Sequence, residues 1–479
     1  MISGEFFMIR RTPGAYVLCA LVLLGGCQTY EPMPLDPTQT VEGVDRERRD
    51  GGRLAANEAV TFAQTAEWMR TYSPAIKEAS AAYATALGLA DVPTPMPNIG
   101  LQVGPNYGFG KGVTSMPLAP FGSLGIKIPL SGRLALNDAL NKHRAEVARI
   151  DGISRHRELY LELRRFWSRL ATARAILDTR RRQVSAAQDS VRTSRQLVEA
   201  GRTTALDVAI FELELGKTRV ARLKAEASAA NAQAALATLV GIRADRFDVA
   251  DFGSLPTTIA HVPELEMLKG ILIDNHTDLA RLRARYEAAE ASLRLEIAKQ
   301  YPDLKIGPSI SGEPGERRTT VGLSLGINLP IFDRNQQAIA QAEKRREEIR
   351  VRFEAAANRA LAELERAFLA TKNTATLSQT LKNSILPQAQ NSVELARATL
   401  DAGSGDVSRL LDAERSYREL LVESQQAALL RTEAWVNLER AVGFPLTGLD
   451  PELKNIGFSV PEQLKHQAQQ PESEEERVK

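Results

Sequence analysis

Several residue types are scarce in this 479-residue chain, and their scarcity excludes common kinds of functional site. The chain has two cysteines and five histidines, and aromatic residues make up 5% of the total. The histidines are scattered, without a cysteine partner or an i, i+4 pair, so we expect no metal site. The formal net charge of +2 gives no bias toward nucleic acid and predicts no nucleic-acid partner.

Enzyme motifs are also missing, because two apparent matches lack the required context. Residues 322–326 read GLSLG, which fits the G-x-S-x-G pattern, but a nucleophile elbow needs a sharp strand-to-helix turn and this segment continues as a strand. Residues 110–112 read GKG, without the upstream glycine spacing or the following serine or threonine of a phosphate-binding loop. We therefore expect no catalytic residue and no enzymatic activity.

The apolar run near the N-terminus is too short to cross a membrane. It extends over residues 15–24, about half of the roughly 20 residues that a spanning helix needs. Arg10 and Arg11 precede it and two glycines follow it, which is the order of a secretory signal peptide. Residues 1–26 are predicted to be this signal, with Met8 as an alternative start, so the mature protein leaves the cytoplasm.

The end of the signal, Leu24-Gly25-Gly26-Cys27, resembles the bacterial lipobox. In a lipobox the peptidase cuts before the cysteine, whose thiol carries a diacylglyceryl group, so Cys27 is predicted to be a lipid anchor. Gln28 follows in place of the aspartate associated with inner-membrane retention, so the resemblance implies the outer membrane. The alternative is an ordinary signal peptide with a cysteine nearby. Apart from the covalent lipid, we expect no cofactor.

The remainder of the chain is a tandem repeat with a period of about 200 residues. Gly201 and Gly403 are 202 positions apart, as are Gly241 and Gly443, and the segments around them align without a gap. The predicted segments are a tether over 27–57, the first repeat over 58–255, the second repeat over 256–450 and a disordered tail over 451–479.

Each repeat contains a short region with the period of a β-strand. In TVGLSLGINLPI (residues 320–331), apolar residues alternate with glycine and small polar residues. Hairpins are predicted at about 97–131 and 302–331, with Tyr301 and Phe332 flanking the second as interfacial aromatics would. A soluble edge hairpin packed on helices is the alternative. Four strands cannot close a membrane barrel, so a membrane location would require three chains that share twelve strands.

Long helices occupy most of each repeat. From about Leu134 to Ala200 there is no proline, and apolar residues recur at seven-residue intervals, as in a coiled coil. Such a helix would be about 100 Å long. Gly201 is expected to end it, a second helix returns toward Gly241, and Pro387 should kink the equivalent helix of the second repeat. The predicted fold class is mainly α with a small β part, built from long helical hairpins and two β-hairpins.

Together, the lipobox, the duplicated order of hairpin and long helix, the stretch LPIFDRNQ (residues 329–336) and the two AG turns resemble the TolC family of outer-membrane efflux factors. The resemblance implies a homotrimer with a 12-stranded barrel in the outer membrane and a periplasmic α-helical barrel. It also implies as partners a periplasmic adaptor, an inner-membrane pump of the RND type and outer-membrane lipids. LPIFDRNQ is closer to the cation and heavy-metal efflux branch.

Two other functions are open at this point. A channel of the same shape could serve type I protein secretion, and a lipid-anchored coiled-coil scaffold would have no pore. The four alternating strands argue against the scaffold.

The family also implies acidic rings at the closed end of the tunnel, six and nine residues after the tip glycine. The second repeat has Arg409 and Asp412 at these positions, and the first has Asp207 and Ile210. Three copies of Asp207 and Asp412 would place six carboxylates near a narrow opening and attract cations. The alternative is that these aspartates cap or pair locally. Asp406 is expected to be a helix N-cap. The tip turns that would contact the adaptor comprise Gly201, Arg202, Gly403, Ser404, Gly405 and Asp406.

Overall fold

The computed structural model describes residues 30–52, 60–107, 118–201, 203–248, 262–312, 318–402 and 407–446. Its contacts divide the chain into a first unit, 1–49, and a second unit, 50–479. Most of the described part of the first unit belongs to helix α1 (Pro37–Asp50), which has no buried side chain. The Asp36 carboxylate accepts a hydrogen bond from the Thr38 backbone N–H at 2.9 Å, so this helix begins with a local cap.

The second unit contains the same order of elements twice. Its first half has α2 (Phe62–Tyr72), α3 (Pro74–Ala90), β1 (Gly100–Tyr107), β2 (Leu118–Pro129), α4 (Arg133–Glu199), α5 (Ala205–Val240) and a 3₁₀ turn (Ala244–Phe247). Its second half has α6 (Leu265–Asn275), α7 (Thr277–Ala298), β3 (Asp303–Gly312), β4 (Thr319–Ile327), α8 (Gln336–Thr380), a π turn (Leu381–Ile385), α9 (Leu386–Asp401) and α10 (Val407–Val442). The chain is therefore mainly helical, with one small sheet.

Two glycines one repeat apart have the same structural role. Gly241 and Gly443 follow α5 and α10 with φ of +87° and +84°, a left-handed conformation that favours glycine. A Cβ on Gly241 would collide with the backbone of Tyr72, where α2 meets α3. A Cβ on Gly443 would lie 2.6 Å from the Cα of His276, where α6 meets α7. The two repeats therefore share these close backbone contacts as well as the order of their elements.

The longest helix agrees with the sequence prediction. Helix α4 has 67 residues, which corresponds to about 100 Å. Gly201 follows it with a left-handed φ of +67°, as expected of a glycine that ends a helix. In the second repeat the backbone forms the π turn just before Pro387, whose ring cannot donate the normal helical hydrogen bond. Pro387 therefore alters the helix locally, as predicted.

How deeply the side chains of α4 are buried depends on which helices pack against that part of α4. Leu163 and Leu170 of the predicted seam are fully buried, where α4 packs against α2, α5 and α10. Toward Gly201, Leu177, Val184 and Val198 are only partly buried, because the chain offers α4 fewer neighbours there. Within the described residues, no helix combines the length and apolar composition needed to span a membrane.

Each half of the second unit has its own hydrophobic core. The first core includes Met69, Leu163 and Trp167, and the second includes Leu364, Trp435 and Leu438. Full burial of one such side chain is worth about 1.5–3 kcal/mol. Each core holds the helices of its repeat together. It lies at the end of the long helical hairpin that is opposite the tip and nearer the sheet.

The four strands form a single antiparallel sheet in the order β1-β2-β3-β4. The pairing of β2 with β3 joins the two repeats. At this junction a Cβ on Gly307 would collide with the carbonyl oxygen of Leu124. Only glycine fits where these two backbones approach each other so closely.

Substitution of Gly307 by alanine should therefore weaken the junction between the repeats. The backbone carbonyl cannot rotate away as a flexible side chain would, so we expect a loss of about 1–3 kcal/mol of stability. Thermal unfolding followed by circular dichroism would measure it. Gly104→Ala is a matched control on the same face of the sheet, since its new Cβ would have no atom within 4 Å. Equal effects of the two variants would contradict the close approach.

Candidate functional site

The most prominent surface of the described chain is one face of the sheet. Directly paired residues lie on the same face, and the register pairs Leu101 with Leu124, Ile126 with Ile306, and Ile306 with Leu325. Apolar side chains therefore form one continuous face across both repeats. Its aliphatic members with 41–75% exposure are Leu101, Val103, Leu118, Leu124, Ile126, Ile310, Val321, Leu323, Leu325 and Ile327. An exposed apolar face of this extent is typical of a membrane or protein interaction surface.

The opposite face of the sheet is polar. It carries mainly glycine and small or amide side chains, such as Gln102, Asn106, Ser309 and Ser324. Hydrogen bonds on this face join strands and repeats, since Asn106 Nδ2 donates to Ser311 Oγ at 3.3 Å and Ser324 Oγ donates to the Gly307 carbonyl at 3.0 Å. The sheet is thus amphipathic, with the apolar face exposed in the isolated chain.

Aromatic residues lie at the end of the sheet that adjoins the helices. Tyr301 lies two residues before β3 and is 62% exposed, and Phe332 follows β4 and is 91% exposed. Aromatic side chains with an exposed apolar body are characteristic of membrane–water interfaces. The predicted flanking positions are therefore exposed at the expected end of the sheet.

The second candidate region is the tip of the two long helical hairpins, where α4 leads into α5 and α9 leads into α10. Asp207 is the third residue of α5 and forms a capping box with Thr204. Its carboxylate accepts hydrogen bonds from the Thr204 backbone N–H at 2.9 Å and from the Thr203 hydroxyl at 2.7 Å. The Thr204 hydroxyl, which donates to the same carboxylate at 2.6 Å, contributes most. Together these bonds stabilise the charged form and lower the pKa of Asp207 below its usual value. Asp207 therefore has the local capping role that the sequence left as an alternative.

The corresponding positions in the second repeat are exposed. The Asp412 side chain is 75% exposed, and its Oδ1 lies 3.6 Å from Nη1 of Arg415. Arg409 is also exposed. The remaining tip residues, Arg202 and residues 403–406, lie outside the described residues, as does the predicted anchor Cys27. The pore role of Asp207, Asp412 and Arg409 stays a prediction.

A group of ion pairs near these positions was not predicted from the sequence. Glu214 of α5 is 12% exposed and lies 3.2 Å from Arg415 and 3.8 Å from Arg418 of α10. Arg418 also contacts Glu414, which pairs with Arg397 at 3.0 Å. These contacts hold the two hairpins together. Glu214 lies seven residues after Asp207, a heptad spacing that places both on one side of α5 and could have identified it.

The described chain shows no arrangement suited to metal binding or catalysis. No group of three or more His, Cys, Asp or Glu side chains that could hold a metal lies among the described residues. His156 and His276 are partly buried, and burial lowers the pKa of both. The GLSLG segment lies inside β4, so it lacks the turn of a nucleophile elbow.

Comparisons with known proteins agree with this arrangement. The sequence profile of the family described as "Outer membrane efflux protein" matches residues 108–242 and 270–444. The cobalt-zinc-cadmium resistance protein CzcC of Cupriavidus metallidurans is 30% identical over 260 residues, which are 51% of this chain and 59% of that protein. The pyoverdine export outer membrane protein OpmQ of Pseudomonas aeruginosa is 28% identical over 257 residues, 51% of this chain and 52% of that protein.

Both alignments thus span between half and three fifths of the relative's length. Among solved structures, one of CusC, from work on its folding and transmembrane channel formation, has a TM-score of 0.64 at 17% identity. It covers 88% of this chain and 99% of the CusC chain. At this identity the structural match establishes a shared fold.

Proposed function

Because the chain belongs to the outer membrane efflux protein family, we propose that three copies form the exit duct of a tripartite efflux system. The family and fold are those of passive outer-membrane channels rather than enzymes. In this proposal the duct carries substrates from an inner-membrane pump and a periplasmic adaptor to the exterior. Substrate movement is driven by the pump, so the duct itself needs no catalytic group.

The observation that carries this proposal is the exposed apolar face of the four-stranded sheet. The sheet has two open edges, β1 and β4, whose outer backbone groups lack a strand partner within the described chain. Inside a membrane such groups must be hydrogen-bonded, and a barrel satisfies all of them. Three copies supply twelve strands, with the apolar face toward lipid and the polar face toward the lumen.

The helices support an assembly of several copies as well. Helix α5 has an exposed apolar stripe with spacings of three, four and seven residues, which is the pattern of a helix–helix contact. Its members, Leu206, Ile210, Leu213, Val220 and Leu223, are 39–69% exposed in the single chain. We propose that this stripe packs against a neighbouring copy in an α-helical barrel.

Similarity to CzcC supports metal cations or small toxic molecules as substrates. The type I secretion duct remains the alternative, but no relative reported above has a name that refers to protein secretion. We further propose that an adaptor contacts the tip turns around Gly201 and Gly403, that the pump is of the RND type, and that a lipid on Cys27 anchors each copy.

A deletion strain would test this function. Cells that lack the chain should retain more cobalt, zinc or cadmium than wild-type cells under metal challenge, and re-expression should restore the wild-type content. Elemental mass spectrometry of washed cells measures this directly. Unchanged metal and small-molecule tolerance, together with loss of a secreted protein from the medium, would instead favour the secretion duct.

At the tips we propose that Asp207 and Asp412 narrow the opening and favour cations. Single-channel recordings of Asp207→Ala and Asp412→Ala should then show altered conductance and weaker block by divalent cations. Asp189→Ala is a control, because Asp189 is an exposed mid-helix aspartate that pairs with Arg192. Conductance and cation block that are both unchanged in the tip variants would contradict this role and leave Asp207 with its capping role alone.

A further inference from the structure

Charge within the four strands is confined to one end of the sheet. The strands carry three charged residues, Lys127 in β2 and Asp303 and Lys305 in β3. All three lie near the helices, because β2 leads into α4 and β3 follows α7. They also alternate with the apolar residues, so all three lie on the polar face.

The two lysines are direct partners across the junction between the repeats. The register pairs Lys127 with Lys305, which places their Cβ atoms about 5 Å apart on one face. Like charges in this arrangement repel each other and destabilise a sheet. The pairing of Lys127 with Lys305 therefore carries an electrostatic cost.

Nearby acidic groups do not neutralise the pair. Asp303 is bound to Arg133, with Oδ2 and Nη2 separated by 2.9 Å, and this pair is balanced in charge. Lys299 is likewise bound to Glu296 at 2.7 Å. In the part of the chain that the structure describes, neither Lys127 nor Lys305 has a carboxylate within ion-pair distance. The lysines therefore leave a net positive charge at this end of the polar face.

This end of the sheet also borders a water-accessible cavity of about 490 Å³. Both lysines line it, together with Arg133, Lys299 and the carboxylates of Asp303 and Asp333. Arg133 and Lys299 are already paired, and Asp333 offsets one of the two remaining positive charges. The lysine pair therefore leaves this lining with a net positive charge that can attract a mobile anion. A small anion can reach it from solution.

We propose that Lys127 and Lys305 form a cationic ring in the lumen, at the end of the barrel that adjoins the helices, and that this ring favours the passage of anions. This inference rests on the proposed function, because three copies with the polar face inward would bring six ammonium groups into one ring. The solutes favoured are small anions and anionic complexes, including metal ions that travel as such complexes. The ring would oppose free cations, in contrast to the acidic residues proposed for the tips.

Reversal potentials in planar bilayers test this selectivity. The full-length protein is reconstituted in zwitterionic phosphatidylcholine, so that only the solution supplies anions, and potassium chloride forms the gradient. We expect a preference for chloride that falls severalfold in Lys127→Gln/Lys305→Gln and reverses in Lys127→Glu/Lys305→Glu. The preference should be strongest at about 0.01 M salt and weak at 1 M, where the Debye length falls from about 30 Å to 3 Å.

Glu296→Gln/Lys299→Gln is the matched control, because it removes a lysine that lines the same cavity together with the carboxylate bound to it and so leaves the net charge unchanged. It should leave the reversal potential nearly unchanged. Conducting wild-type and Lys127→Gln/Lys305→Gln channels with the same reversal potential would overturn the cationic ring while leaving the duct intact. Phosphatidylglycerol that remains bound to the wild type but not to Lys127→Gln/Lys305→Gln, as seen by native mass spectrometry, would assign the lysines to a lipid headgroup and also overturn it. Wild-type protein that forms no channel would overturn the proposed function itself.

Discussion

Replacement of Glu439 by alanine is expected to cost about 3–5 kcal/mol of stability, because it leaves a buried arginine without its carboxylate. Glu439 of α10 is fully buried and forms an ion pair with Arg164 of α4, which is 5% exposed. The same carboxylate accepts hydrogen bonds from Trp435 Nε1 at 3.0 Å and from the Leu446 backbone N–H at 2.9 Å. One substitution therefore removes the partner of three donors, of which Arg164 links the two repeats.

The surroundings of this pair make an unpaired charge costly. Arg157 is buried on the same helix and donates to the Asn275 carbonyl at 3.2 Å. Burial lowers the pKa of Arg157 to about 10, and the negative charge of Glu439 partly opposes this shift. Without Glu439, the buried Arg164 would lose its ion-pair partner and Arg157 would lose a nearby negative charge.

A second ion pair on the same two helices provides the control. Arg169 Nε lies 2.6 Å from Glu433 Oε1, but the Arg169 side chain is 42% exposed. Glu433→Ala should therefore cost no more than about 1 kcal/mol. Denaturant unfolding of the detergent-solubilised variants, followed by helical circular dichroism, compares the two midpoints. If the two substitutions lower stability equally, the pair at Glu439 is not buried in the assembled protein.

The second large effect is expected for Val103→Lys on the apolar face of β1. Val103 is 75% exposed in the single chain and would face lipid in the proposed barrel. A lysine on the lipid face of a barrel costs about 2–4 kcal/mol near the middle of the bilayer, and three copies carry it simultaneously. We expect most of the variant to be missing from the outer-membrane fraction, as measured by membrane fractionation and immunoblotting.

Gln102→Lys is the matched control, since Gln102 is the adjacent residue of the same strand and lies on the polar face. It adds the same side chain where the proposal places water, so membrane levels should be close to those of the wild type. The opposite order, with Gln102→Lys more damaging than Val103→Lys, would show that the apolar face does not contact lipid.

The regular parts of the fold were predictable because their signals are periodic. The alternation in residues 320–331 predicted β4, and the proline-free run before Gly201 predicted a helix of the observed length. Because the sequence repeats after 202 residues, a second copy of each element could also be predicted. The strand bounds were less predictable, since Leu329 and Ile331 continue the alternation but lie beyond the end of β4 at Ile327. Pro330 cannot donate a ladder hydrogen bond there.

The ion pairs could not be predicted from periodicity. Arg164 and Glu439 are 275 positions apart, and the position one repeat before Glu439 is Ala237. The pair thus depends on a difference between the repeats and on how α4 packs against α10. Asp207 shows a different limit. Its spacing from Gly201 fits both a pore residue and a helix cap, and only the hydrogen bonds to Thr203 and Thr204 reveal the cap.

The proposed duct requires that several chains share one barrel. Native mass spectrometry of protein extracted from membranes in detergent, with lipids retained, measures this most directly. We predict a trimer in which each copy carries a covalent lipid on Cys27. A lipidated monomer that is stable in detergent would contradict the account, because the four strands would then have no partner for the edges β1 and β4.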